Sequence, residues 1–111
     1  MDFDEYQKVA LTTAFGSYDD KNFQRTIWAM GIAGEAGEVI EKWKKIVAYK
    51  DGKYTKDELN ELKKELGDVV WYIAVFAESL GLSLNDVMQL NVKKLQDRKK
   101  RGVIKSSGDN R

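Results

Sequence analysis

The chain has no proline in 111 residues. Proline fixes φ and removes an N–H, so it stops helices wherever it falls inside them. A chain without it tolerates being mostly helix, and the apolar spacing agrees. A first segment, about residues 2–15, places Phe3, Tyr6, Val9, Ala10, Thr13 and Ala14 on one side. A polar loop, GSYDDKNF, follows. A second segment, about residues 24–49, carries the stripe Ile32, Ala36, Val39, Ile40, Trp43, Ile46 and Val47 at helical spacing. Asp51-Gly52 marks a turn. Thr55 with Glu58 three residues on is a capping-box signature that opens the third helix. That helix carries Leu59, Leu62, Leu66, Val69, Val70, Ile73, Phe76, Ala77 and Leu80, and Gly81 suits its C-terminal end. Ser83 caps a fourth helix running to about Arg101. The expected fold is all-α: one four-helix domain over residues 1–101 and a flexible tail over 102–111. One domain fits this length, with a core that is thin for a lone monomer.

Cysteine and histidine are also absent. That excludes a disulfide framework, a thiolate or imidazole metal site, a Cys nucleophile and a Ser-His-Asp triad. It also disfavours a di-iron carboxylate bundle, whose Glu-x-x-His ligands cannot be built. Chemistry is left to carboxylates, amines, hydroxyls and hard cations. Lys plus Arg is 19 against 18 for Asp plus Glu, a balance that argues against a whole-surface nucleic-acid binder. No run approaches the roughly 18 apolar residues of a membrane span. The N-terminus MDFDEYQK is too acidic for a secretory signal, so the expected location is cytoplasmic.

The second and third segments share a short repeat. One reads Glu35-Ala36-Gly37-Glu38-Val39-Ile40, the other Glu65-Leu66-Gly67-Asp68-Val69-Val70. With about 100° per residue, Glu35 and Glu38 lie roughly 80° and 140° from the middle of their apolar stripe. Glu65 and Asp68 take the same offsets on the same hand. An antiparallel hairpin closing through these stripes lines both pairs along one groove. Converging carboxylates repel unless neutralised, and without histidine the natural partner is a hard divalent cation such as Mg²⁺. Such a cluster suits phosphoryl chemistry. Glu61, one turn before Glu65, is placed as an outer ligand, and Glu41 as a solvated charge.

Other features surround this groove. Gly31 and Gly34 on the carboxylate side either kink the helix or clear space for a ligand or partner helix. Lys42, four residues after Glu38, reads first as its ion-pair partner and is carried as a candidate substrate contact. Tyr72, four after Asp68, lies at the groove edge, placed to stack on a base or sugar. The run Val69–Ala77 has nine residues without a charge. Trp71 and Val75 point away from the main stripe, which predicts burial on more than one face and a homodimer or homotetramer.

Taken together, Glu35 and Glu38 in GEAGEVIEKWKK, Glu65 and Asp68 in KELGDVVWYIA, YQKVALTTA near the start and LSLNDVMQLNVKKLQDRKKRG near the end resemble the MazG-like nucleotide pyrophosphohydrolases of the all-α NTP pyrophosphatase superfamily. The resemblance covers about residues 3–102. It implies a Mg²⁺-dependent enzyme (Mn²⁺ as substitute) that cleaves a nucleoside triphosphate between the α and β phosphates, in nucleotide-pool house-cleaning. It implies that Glu35, Glu38, Glu65 and Asp68 hold the metal and carry catalysis, and that Asn91, Lys94 and Arg98 of the NxxKLxxR segment face the nucleotide. A carboxylate such as Glu38 then activates the attacking water, while Lys94 and Arg98 neutralise the leaving pyrophosphate. A phosphoribosyl-ATP pyrophosphohydrolase ranks below this, because the flanking segments look more MazG-like. The alternative is a non-catalytic helical interaction module, or a nucleic-acid binder using the basic stretch Lys93–Arg101.

Overall fold

A computed structural model describes residues 1–16 and 18–111; Ser17, in the expected polar loop, lies outside the described residues. The described residues form four helices and no strand: α1 Phe3–Leu11, α2 Lys21–Lys50, α3 Lys56–Ser79 and α4 Leu84–Arg101. The all-α expectation holds.

The ends follow local hydrogen-bond chemistry. α1 stops short of the expected Phe15 because the Thr12 and Thr13 hydroxyls donate back to the Val9 and Ala10 carbonyls, a competition that disfavours further turns. α2 begins before the expected Gln24 because the Asp20 carboxylate accepts from the Asn22 and Phe23 amides at 2.9 and 3.3 Å. Thr55 and Glu58 form the predicted capping box. α3 closes in a Schellman arrangement: the Leu82 amide donates to Ala77 and that of Gly81 to Glu78, both at 2.9 Å, with Gly81 at φ +73°. The helical glycines do not break α2, which runs unbroken for 30 residues.

α2 and α3 form a hairpin that supplies most of the packing, and α1 lies across α3. The innermost cluster is Ala10, Ala74, Val75 and Leu84, with Tyr6, Trp28 and Trp71 against it. Two polar clasps lock α1 to the α3–α4 turn. The buried Gln7 side chain donates to the Ala74 and Leu82 carbonyls at 3.0 Å and accepts from the Leu84 amide at 3.1 Å. The Asp4 carboxylate accepts from the Ser83 hydroxyl and the Asn85 amide, which holds its pKa below the usual value, the amide first.

Two expectations change here. Trp71 and Val75 do not form one outward face: Val75 is fully buried, while Trp71 is half-buried, its indole N–H donating to the Thr13 hydroxyl just beyond α1 at 2.9 Å. The tail folds back onto α4, with the Asp109 carboxylate accepting from Lys94 and Arg98, both at 2.8 Å. The Arg111 guanidinium also donates to the Val103, Gly108 and Ile104 carbonyls.

Candidate functional site

The two acidic repeats meet across the α2–α3 hairpin. One carboxylate oxygen each from Glu35, Glu65 and Asp68 lies within 4.8 Å of the others. Glu35 and Glu65 are half-buried and Asp68 is exposed. The Glu35 pKa is raised, by partial burial first and then by the charges of Asp68, Glu65 and Glu38. Glu38, one turn on along α2, is exposed; it adds charge to the site while its oxygens stay outside the close trio.

Lys42 takes a different partner from the one its spacing suggests. Its ammonium reaches across the hairpin to Glu65 at 3.6 Å, so one cation borders the acidic group. Glu61, placed as an outer ligand, instead pairs with Lys64 at 2.9 Å, which lowers its pKa. Glu41 pairs with Lys44 and Lys45 on the surface, as a solvated charge does.

The space beside Gly31 is filled from within. A Cβ built there would lie 2.2 Å from Tyr72 Cε1, so the Tyr72 ring rests directly on the α2 backbone. Trp71 meets that ring edge-on, centroids 5.0 Å apart. Tyr72 is half-buried, one turn along α3 from Asp68. Gly34 is different: nothing stands within 4 Å of its Cβ position.

Tyr6 is a neighbour that the sequence reading assigned only to the apolar side of α1. Burial, and next the charge of Asp68, raise its phenol pKa, which sets its hydroxyl in the field of the site. No local spacing reports this, since the contact depends on how α1 crosses α3.

Asn91, Lys94 and Arg98 lie on α4, whose backbone packs near α1 and α3 but not near α2. Within one chain, therefore, the α4 backbone does not approach the helix that carries Glu35 and Glu38. Arg98 is buried and, with Lys94, is engaged by Asp109, whose pKa falls to about 2, Lys94 being the larger cause. Asn91 is exposed.

The donor set is all oxygen, buried and crowded enough to raise the Glu35 pKa, and bordered by the Lys42 ammonium. This matches a hard divalent cation that binds through carboxylates and keeps some water. Glu35, Glu65 and Asp68 are placed to hold it, with Glu38 one turn away.

A sequence model of the MazG nucleotide pyrophosphohydrolase domain matches residues 9–103. Among curated proteins, the chain is similar to the Gene 37 protein of Mycobacterium phage L5, 46% identical over 114 residues and spanning 100% of both chains. No solved structure matches.

Proposed function

Because the chain belongs to the MazG nucleotide pyrophosphohydrolase domain family, we propose that it hydrolyses a nucleoside triphosphate between the α and β phosphates, giving a monophosphate and pyrophosphate. The supporting observation is the convergence of Glu35, Glu65 and Asp68 from two helices, with the Glu35 pKa raised by partial burial and then by its acidic neighbours. A bound Mg²⁺, or Mn²⁺ in its place, supplies Lewis-acid stabilisation of charge on the phosphoryl oxygens.

The chain's own groups divide the remaining work. Glu35, Glu65 and Asp68 hold the cation, and Lys42 fixes the Glu65 carboxylate through its 3.6 Å ion pair. Glu38, outside the trio and open to solvent, accepts a proton from the attacking water. Tyr72 offers the exposed part of its ring to the nucleotide. No covalent nucleophile is needed. Lys94 and Arg98 serve the leaving pyrophosphate after exchanging Asp109 for it. Since the α4 backbone does not approach α2, we assign this service to the α4 of a second copy in a homodimer or homotetramer. Nucleotide-pool house-cleaning in the cytoplasm is the role that fits such a reaction.

In the basic stretch of α4, Arg101 pairs with Asp97 and Lys94 and Arg98 with Asp109, each at 2.8 Å, so part of its charge is neutralised within the chain. Among the described residues, no single helix is long and apolar enough to cross a membrane.

The test is a panel of canonical and modified nucleoside triphosphates with Mg²⁺, scored for pyrophosphate and orthophosphate. Pyrophosphate release is expected from at least one substrate. Orthophosphate alone overturns the assigned bond, and no Mg²⁺-dependent product from any substrate overturns the reading.

A further inference from the structure

Gln24, Trp28, Gly31 and Glu35 recur along α2 at spacings of four, three and four. At about 100° per residue they fall within roughly 60° of one another, on a single face. Glu35 is the acidic end of that face. The other end, about 16 Å away at a 1.5 Å rise per residue, carries an unexplained feature.

Gln24 is 9% exposed, and its Oε1 is buried with no protein hydrogen-bond partner among the described residues. Leaving a buried acceptor unpaired costs about 1–3 kcal/mol, so folded chains rarely keep one without use. The amide borders a cavity of about 390 Å³ shared with Tyr18, Lys21, Arg25 and Trp28. That volume is in the range of small-molecule sites, whose walls are aromatic with a few placed polar groups. The Arg25 guanidinium is already committed to the Ser79 carbonyl at 2.9 and 2.7 Å, so it forms a wall. Gly16, also on the wall, lies against the amide: a Cβ there would lie 2.6 Å from Gln24 Oε1.

We propose that this cavity seats the nucleobase of the substrate, with the Gln24 carboxamide reading the base edge and Trp28 and Tyr18 packing against the ring. This rests on the nucleotide reading above. A carboxamide offers one donor beside one acceptor, the pattern by which glutamine reads a base. Base and phosphates then lie along one helix, with Tyr72, seated on Gly31 between them, against the sugar.

The test titrates the full chain with free nucleosides, without phosphate or metal, and follows indole N–H signals by NMR. The Trp28 signal is expected to shift with at least one nucleoside while that of Trp43 stays. Gln24→Leu is expected to weaken this binding about tenfold, the equivalent of about 1.4 kcal/mol. Gly16→Ala, which keeps the amide but displaces its oxygen, is expected to do the same, and both are expected to flatten the ranking of kcat/KM across the bases. An unmoved Trp28 signal with every nucleoside overturns the proposal. So does an unchanged base ranking in whichever of the two variants folds. Gln24-dependent nucleoside binding in a chain that releases no pyrophosphate overturns the hydrolase reading and leaves the base seat standing.

Discussion

Glu35 is a carboxyl crowded by carboxyls, and its titration has a definite sign. Its folded pKa lies above the ordinary 4.5. Its contribution to stability is therefore complete below that ordinary value and declines as pH rises through the raised one. At neutral pH the cation-free chain keeps the repulsion, which a divalent ion relieves. Asp68→Asn is expected to raise the cation-free melting temperature at neutral pH and to abolish the rise that Mg²⁺ produces. In the parent chain that rise corresponds to about 2.7 kcal/mol at an ion concentration 100 times Kd. Scanning calorimetry with and without Mg²⁺ reads both, and a variant that keeps the parent's Mg²⁺ response contradicts the metal assignment. Hydrolysis is expected to fall about 10²-fold or more in the same variant. Gly31 gives a second residue-scale expectation. Alanine is the better helix former by about 1 kcal/mol. Yet Gly31→Ala forces a methyl into the Tyr72 ring, and overpacking of this kind costs about 1–3 kcal/mol. Urea denaturation is expected to show net destabilisation that Tyr72→Leu relieves.

Among the elements, what was legible in the sequence was what is encoded within a few residues. Thr55 and Glu58 announce their capping box because both partners lie in one turn. Rotation about a helix axis is arithmetic too, and it places Glu35, Glu65 and Asp68 along one groove; it does not show that Glu38 stays outside their trio. What depended on the docking of one helix against another was not. The hairpin register sends Lys42 to Glu65 instead of Glu38. The crossing of α1 over α3 buries Val75 and brings Tyr6 near Asp68. The passage of Gly16 over α2 makes Gln24 notable, and no spacing rule contains it. The fold-back of residues 102–111 is of the same kind, since it pairs side chains with a helix already left behind. Its ion pairs give the third prediction. Asp109, held to about 2 by Lys94 and then Arg98, stabilises the clasp above the ordinary 3.8 and loses that contribution as pH falls through about 2. Carbon-13 NMR of the Asp109 carboxyl is expected to give that low midpoint. In Lys94→Ala it moves back toward 3.8, and a midpoint unchanged by that variant dissolves the clasp.

At the scale of the molecule, a radius of gyration of 17.0 Å exceeds the about 13 Å of a compact domain of this length. Ile40, Trp43, Leu59 and Leu66 remain open to solvent, the last three beside a groove of about 700 Å³ between α2 and α3. With Val75 fully buried and Trp71 half-buried, these residues are the surface on which a second copy is expected to close. Light scattering is expected to give a dimer or tetramer at micromolar concentration; a stable monomer contradicts this. If the α4 of one copy serves the acids of another, mixing Glu35→Gln with Arg98→Ala restores pyrophosphate release that neither variant has alone. Continued inactivity of the mixed oligomer places both residues in one chain's site. Gly34, Gly37 and Gly67 bear on the same question. Each faces open space in the single chain, with nothing within 4 Å of a Cβ position, so alanine there is expected to stabilise an isolated chain by about 1 kcal/mol. Where a neighbouring backbone or a bound nucleotide lies against one of them, the same methyl lowers the melting temperature of the assembled or loaded protein. These glycines act as feeler gauges, and the sign of three thermal shifts, read with and without ligand and across dilution, maps which stretches of the hairpin are touched from outside.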